Sequence, residues 1–302
     1  MHHAPTSSST PSISVGLPVY NGERFLRQAL ESILTQTFYD IEIIISDNAS
    51  TDGTESICKE FVARDPRINY IRQPVNIGAM RNWNFVANQA RGEYFKWMSA
   101  SDYCAPDMLA RCFEAMNDDS NIVLCYGQTC LVDEDTGKLT EYYGNIEIME
   151  DRPHERFAKL RNSLKLNNAY CGVIRTDALR LTKLNRLYSE GDIVLMAELA
   201  LLGRFRLLPK ILSYRRMGCE TSSNKLNLSD LAIFLDPQNT YDINLRSFYM
   251  HRGILSVILR TPISVPEKLK TFALAFRHII WAREALASEL HLALKRSLTN
   301  LR

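Results

Sequence analysis

Two short polar loops carry the residue types from which a nucleotide pocket can be built. Pro18-Val-Tyr-Asn21, running on to Glu23, and Asp47-Asn-Ala-Ser50 each follow an apolar run rich in Ile and Val, Ile13 to Leu17 and Ile41 to Ser46. Between the runs, Phe25, Leu26, Ala29, Leu30, Ile33 and Leu34 repeat at helical spacing across Glu23 to Gln36, so the stretch predicts a β-α-β unit. In an open parallel sheet, ligands gather beyond the carboxyl ends of the strands, where helix N-termini point backbone N–H groups outward. Both loops fall there. Each taken singly is also an ordinary turn, because Pro, Asn, Gly and Asp are turn formers and Ser50 or Thr51 can cap the next helix.

The elements that must hold these loops continue the alternation. A helix is expected from Asp52 to Arg64, a strand at Ile68 to Arg72, a helix from Ala79 to Gln89 and a strand at Glu93 to Met98, which is a doubly wound α/β sheet. A helix follows Pro106, a strand occupies Ile122 to Gln128, and Asp133 to Lys138 reads as a hairpin turn. Helices are expected near Glu155 to Leu164 and Asp192 to Leu202, then a strand at Phe205 to Tyr214. The organisation predicted is a tail over 1–11, one α/β domain over 12–220, a polar linker over 221–240 and a helical segment over 241–302.

The pattern P-V-Y-N-G-E, a helix, a strand and then S-D-N-A-S-T-D-G-T resembles the nucleotide-sugar domain of family 2 glycosyltransferases, which carry P-x-Y-N-x-E and D-D-G-S-x-D-G-T at this separation. Asn48 departs from it, standing where the second acidic residue is usual. The resemblance covers residues 12 to about 220 and implies a GT-A-like, Rossmann-related mixed sheet flanked by helices, with residues 241–302 as a helical appendage. It implies that base and ribose lie near Pro18, Tyr20, Glu23, Asp47 and Arg81, with Asn21 and Asn76 also in the nucleotide-sugar site. Asn76-Ile-Gly78 with Met80-Arg-Asn-Trp-Asn84 resembles the family's N-x-G-x-x-x-x-N segment, and the Arg81 guanidinium suits paired contacts to oxygen anions. Asn76 as a helix cap and Trp83 as core are the structural alternatives.

Ser99-Ala-Ser-Asp102 followed by Pro106-Asp-Met-Leu109 resembles the family's D-x-D-D-x-x-x-P-x-x-L, with Ser99 and Ser101 at the two D-x-D positions. The expected cofactor is Mg²⁺ or Mn²⁺, with Asp102 left as its ligand beside phosphates and water, although a serine hydroxyl is a poor replacement for a carboxylate. The stretch Ser189 to Phe205 resembles E-D-x-x-L-x-x-x-L-A-x-x-G-x-F and puts Asp192 on the catalytic aspartate, with Gly191 in place of the preceding Glu. Such a carboxylate would take the proton of the acceptor hydroxyl, and a single base implies inversion at the anomeric carbon. Glu198 reads as a salt-bridged or rim residue. Arg215 and Arg216 occupy the place of a basic residue that would face the diphosphate, and Ser101 and Asp102 would border it.

Composition narrows the rest. The 302 residues are 46% hydrophobic, enough for a sizeable core. Seven cysteines without a C-x-x-C pair read as reduced thiols and, with no apolar leader in Met1 to Ser12, as a cytoplasmic protein. No window approaches the ~18–20 apolar residues that span a bilayer. The net charge of +2 hides an asymmetry: residues 246–302 carry ten Lys or Arg against three Glu, a net +7, which leaves −5 for residues 1–245. A basic amphipathic segment suits peripheral contact with the inner face of a membrane and a lipid-linked saccharide, or packing and dimerisation. No nucleic-acid motif accompanies the charge. G-x-S-x-G, G-x-x-x-x-G-K-[ST] and a G-x-G-x-x-G after the first strand are missing, which counts against hydrolases, P-loop proteins and dinucleotide oxidoreductases. The expectation is a glycosyltransferase acting on a saccharide, lipid-linked saccharide or glycolipid in surface polysaccharide or glycolipid synthesis. The alternative is a non-catalytic protein of the same fold that works by binding partners.

Overall fold

The apolar runs become the centre of one sheet. In the computed structural model, which describes residues 10–218, 226–238 and 245–299, β1 (Ile13–Val19) and β2 (Ile41–Asp47) are buried along their whole length. They pair in parallel, with Ile13 opposite Ile41 and Val19 opposite Asp47, across the connecting helix α1 (Leu26–Leu34). Next come α2 (Thr54–Arg64), β3 (Ile68–Arg72), α3 (Ala79–Gln89), β4 (Tyr94–Trp97), β5 (Tyr103–Cys104) and α4 (Met108–Asp118). The long strand β6 (Ile122–Asp133) turns into its hairpin partner β7 (Leu139–Tyr142) and is followed by α5 (Pro153–Ser163), β8 (Val173–Arg175), α6 (Thr176–Arg180), α7 (Gly191–Leu202) and β9 (Arg204–Met217). After these lie α8 (Leu228–Leu235), α9 (Arg246–Arg260), α10 (Val265–Trp281) and α11 (Arg283–Thr299).

Among the described residues the sheet runs β3-β2-β1-β4-β8-β6-β9-β5, with β7 on β6. Its first four strands are parallel; β8 is antiparallel to both β4 and β6, which makes the sheet mixed. One face is covered by α1, α2 and α4 through Leu30, Phe61 and Met108, and the other by α3, α5, α7 and α9 through Val86, Phe157, Val194 and Val257. α7 is apolar all round because it is buried on every side, the expected pattern for a central helix. Its Glu198 is 1% exposed and paired with Arg260 of α9 and, at 3.8 Å, with Arg186.

Within 221–240, expected to be a linker, Leu228–Leu235 is helical. The Asn227 side chain caps it by accepting the Asp230 N–H at 2.9 Å, and Ala232 and Leu235 are buried. The signal is brief: Leu231, Ala232 and Leu235 share a face inside a polar stretch. Residues 1–9 of the expected tail, and 219–225 and 239–244 of the stretch around the linker, lie outside the described residues.

Candidate functional site

The two loops at the carboxyl ends of β1 and β2 are laced together. Asn21 N–H donates to Ser50 Oγ at 2.9 Å, Thr51 N–H to Asn21 Oδ1 at 2.8 Å, Gly22 N–H to Thr54 Oγ1 at 2.8 Å and Gly53 N–H to Glu23 Oε2 at 2.9 Å. Asn21 adopts φ +50, a left-handed conformation that Asn tolerates. Asp47 is completely buried beneath them. Its Oδ1 accepts the Ser50 N–H at 2.8 Å, while Oδ2 accepts Tyr70 Oη at 2.8 Å and Arg72 Nη1 at 2.7 Å. Burial and the Asp47 charge push the Tyr70 phenol upward. Asn48 Nδ2 donates to Asn76 Oδ1 at 2.8 Å and its Oδ1 accepts the Ile77 N–H at 2.8 Å. This position therefore uses both a donor and an acceptor, which a carboxylate could not supply.

From these loops a cleft of about 950 Å³ runs across the sheet edge to the start of α7. Pro18, Tyr20, Asn21, Asn48 and Asn76 line one end. Ser99, Ser101, Asp102, Arg215 and Arg216 line the middle, joined by Lys96 from the floor. Asp102 Oδ1 accepts the Arg216 backbone N–H at 2.9 Å, and the hydroxyls of Ser99 and Ser101 bond each other at 2.9 Å. Burial pushes the Asp102 carboxyl above the usual carboxylate range, against the opposing pull of the Arg216 N–H and the charges of Arg215, Arg216 and Lys96. The Arg216 guanidinium stacks over Phe25 at 4.3 Å and bonds Ser101 O and Gln28 Oε1.

A hard divalent cation needs several oxygen ligands, most of the protein's share being carboxylate. Here a single carboxylate, half committed to a backbone N–H, sits beside three cations and two hydroxyls already bonded to each other. Among the described residues no three His, Cys, Asp or Glu side chains converge as a metal site. The donor set does not fit the metal role expected of Asp102.

At the far end, Asp192 occupies the first turn of α7, and its Oδ2 accepts Asn167 Nδ2 at 2.9 Å. A side chain at Gly191 would come within 2.4 Å of Arg186 O, which explains why the residue before Asp192 is not a glutamate. Glu190, in the left-handed region at φ +66, pairs instead with Arg246 from α9. The wall between is aromatic. Tyr170 stacks on Trp97 with ring centroids 4.8 Å apart and lies 5.2 Å from Trp83. Burial, then the Asp192 charge, raises the Tyr170 phenol well above its ordinary value.

The structure thus brings Pro18, Tyr20, Asn21, Asn76, Ser101, Asp102, Asp192, Arg215 and Arg216 to one cleft. Glu23, Asp47 and Arg81 stand off its wall. Glu23 and Asp47 brace the loops from behind, and Arg81 turns toward Asp236 at 3.4 Å and Gln238 at 3.2 Å. That turn depends on the close passage of residues 235–237 over Gly78, whose φ is +88 and where a Cβ would sit 2.5 Å from Pro237. Asn76 does not cap α3; Gly78 does. Trp83, expected in the core, packs against it while also facing the cleft. Lys96, Tyr170 and Asn167 went unnoticed in the sequence. A lysine inside the apolar strand Tyr94-Phe-Lys-Trp-Met98 was the available signal for the first; the other two had none.

A curled mixed sheet flanked by helices, with a helical C-terminal region, is a GT-A-like architecture. A crystal structure of S. aureus TarS in complex with UDP-GlcNAc matches 90% of this chain and 74% of that chain at TM-score 0.66 and 17% identity. A mannosyltransferase from Pyrobaculum calidifontis, in complex with GDP-Man and Mn²⁺, matches 97% of this chain and 77% of that one at TM-score 0.56 and 17% identity. Identities this low carry the fold alone. The model of glycosyl transferase family 2 matches residues 14–181, more than half of the sequence, and the chain belongs to that family. An uncharacterized glycosyltransferase of Methanocaldococcus jannaschii is 34% identical over 134 residues, 44% of this chain and 46% of that protein. The chondroitin synthase of Escherichia coli is 26% identical over 230 residues, 74% of this chain and 32% of that protein. The chain spans less than half the length of these curated relatives.

Proposed function

We propose that the chain is an inverting hexosyltransferase that moves a sugar from a nucleotide-activated donor to a hydroxyl of a saccharide, lipid-linked saccharide or glycolipid, in surface polysaccharide or glycolipid synthesis. One observation carries the reading: a single cleft joins the laced loops, a cationic middle and the Asp192 carboxylate in the order that base, diphosphate and acceptor require. The base would lie against Pro18 and Tyr20, with ribose near Asn21 and the Asn48–Asn76 amide pair. Asp192 would accept the proton of the acceptor hydroxyl as its oxygen attacks the anomeric carbon from the face opposite the diphosphate. The apolar wall of Trp83 and Tyr170 would offer a platform for the sugar rings.

Incubation with UDP-, GDP- and dTDP-sugars, reading nucleoside diphosphate release with and without oligosaccharide and lipid-linked acceptors, tests this. Release from no donor, with no shift in melting temperature by any nucleotide, would leave the partner-binding reading in its place.

Peripheral membrane contact is supported by α10, whose exposed Leu269, Phe276 and Ile280 share a face flanked by Lys268, Lys270 and Arg277. Among the described residues no helix is long and apolar enough to cross a membrane. The six cysteines there are free, which supports a reducing, cytoplasmic setting. Since α9 buries Ile254 and Val257 against α7, removing residues 246–302 would expose core. The informative variants are Phe276→Ser and Arg277→Glu, which should lose sedimentation with anionic vesicles while keeping the melting temperature.

A further inference from the structure

Lys96 is a buried charge on the floor of the cleft. It is 2% exposed, and among the described residues its Nζ bonds only backbone carbonyls, Cys171 O and Trp97 O, the latter at 3.3 Å, with no carboxylate at ion-pair distance. An ammonium removed from water without a counter-ion is costly, so sites of this kind are completed by an anion. Arg215 and Arg216 reach the same cleft, and among the described residues neither side chain is ion-paired with a carboxylate. Arg215 bonds Asn168 Oδ1 at 2.8 Å, and Arg216 bonds Ser101 O and Gln28 Oε1. Three cations therefore converge on Asp102, while Glu134 in the same cleft is already matched by Arg24. The surplus of two positive charges matches the two negative charges of an esterified diphosphate. The same surplus repels a divalent cation, and the serines at 99 and 101 offer no carboxylate to hold one.

We infer that Lys96, with Arg215 and Arg216, takes the place of a divalent cation and binds the donor's diphosphate directly, so that donor binding and transfer need no metal. The inference rests on the glycosyltransferase reading. In the transfer step the acceptor oxygen forms its bond to the anomeric carbon as the bond from that carbon to the β-phosphate oxygen breaks. The electron pair of the broken bond goes to that oxygen, and the acceptor's proton goes to Asp192. The diphosphate leaves with one more negative charge than it carried, and that charge develops against side chains already fixed in place, which is where fixed cations act most strongly. Lys96 is held by its strand and Arg216 by Phe25 and Gln28, so little reorganisation accompanies the step.

Calorimetric titration of the full chain with UDP, GDP and dTDP, in EDTA and then in Mn²⁺, tests the inference alongside nucleotide-sugar turnover in the same buffers. The expected result is one preferred nucleotide bound with the same affinity in both, to within about twofold, and turnover that survives EDTA. Lys96→Met should weaken binding by about tenfold or more, the worth of one charge-assisted contact, and Lys96→Arg should restore part of it. Arg215→Met, on the cleft wall, gives the same reading should Lys96→Met fail to fold, with circular dichroism deciding which variant is used. Binding or turnover only with Mn²⁺, or unchanged affinity in Arg215→Met and in a folded Lys96→Met, overturns the inference while leaving the glycosyltransferase reading standing. Binding of no nucleotide in either buffer overturns both.

Discussion

Asp192→Asn separates chemistry from binding more cleanly than any other single change. The Asp192 carboxylate accepts one hydrogen bond, from Asn167 Nδ2 at 2.9 Å, and its remaining capacity faces the cleft. An asparagine can keep the first contact by turning its carbonyl oxygen to Asn167, which leaves an NH₂ group toward the acceptor. That group has no basic lone pair. Loss of a positioned general base costs about 100- to 10,000-fold in rate, or roughly 3 to 5 kcal/mol at about 1.4 kcal/mol per decade. The fold should barely notice: Asp192 is partly exposed in the first turn of α7, and losing a negative charge there costs about 0.3–1 kcal/mol of dipole interaction. Nucleotide affinity should hold, because the laced loops and the cationic middle are elsewhere in the cleft. The assay is steady-state turnover of the preferred donor and acceptor, with calorimetric titration of the nucleoside diphosphate and a urea melt on the same protein. A turnover number within about threefold of wild type would remove Asp192 as the base. A parallel loss of nucleotide affinity would show that it organises the donor instead.

Asn48→Asp should lower both stability and nucleotide affinity, by about 1–3 kcal/mol in a urea melt, because a carboxylate would face Asn76 Oδ1. Turning the Asn76 amide to meet it would strip the acceptor from the Gly78 N–H, now bonded at 2.9 Å, so a wild-type melt would refute the pairing. Glu198→Ala leaves the partly buried guanidiniums of Arg186 and Arg260 without their counter-charge and should cost up to about 3–5 kcal/mol, with Glu198→Gln milder. Asp102 supplies a pH dependence. Burial raises its carboxyl in the fold, so the folded protein binds a proton over a window, from about pH 4 upward, where the unfolded chain has lost it. Stability should therefore fall as pH rises through that window. Affinity for a nucleotide-sugar, whose phosphate diesters do not titrate there, should fall with it as ionised Asp102 offsets one cation. Asp102→Asn should flatten both curves, and an unchanged slope would contradict the assignment.

The positions legible beforehand were those whose contacts are local. Asn21, Glu23, Asp47 and Ser50 sit at fixed offsets after two buried strands, and the lacing between the loops needs only that β1 and β2 be neighbours. Asp192 was marked only by the resemblance of Ser189 to Phe205 to the family's E-D-x-x-L segment, since an acid that opens a helix is by itself an ordinary cap. Arg81 shows where this fails. Its guanidinium belongs by sequence beside the cleft, but residues 235–238, about 155 positions away, pass over Gly78 and supply Asp236 and Gln238 as nearer partners. Lys96 is the opposite case, an unlikely residue in a strand whose use is apparent only once Arg215 and Arg216 return beside it on β9.

By itself, then, the sequence determined the family, the alternating elements and the two loops at the carboxyl edge. The elements and loops follow from periodicities of two and 3.6 and from turn chemistry, which act over a few residues, and the family from the motifs those loops carry. Tertiary structure alone decided which charges face the cleft, because that depends on the order β4-β8-β6-β9 and on the return of α8 and α9 to the sheet edge. Charge balance is a sum over neighbours in space. Ser99 and Ser101 were visible as missing carboxylates, but only the folded chain places Lys96, Arg215 and Arg216 around the gap they leave.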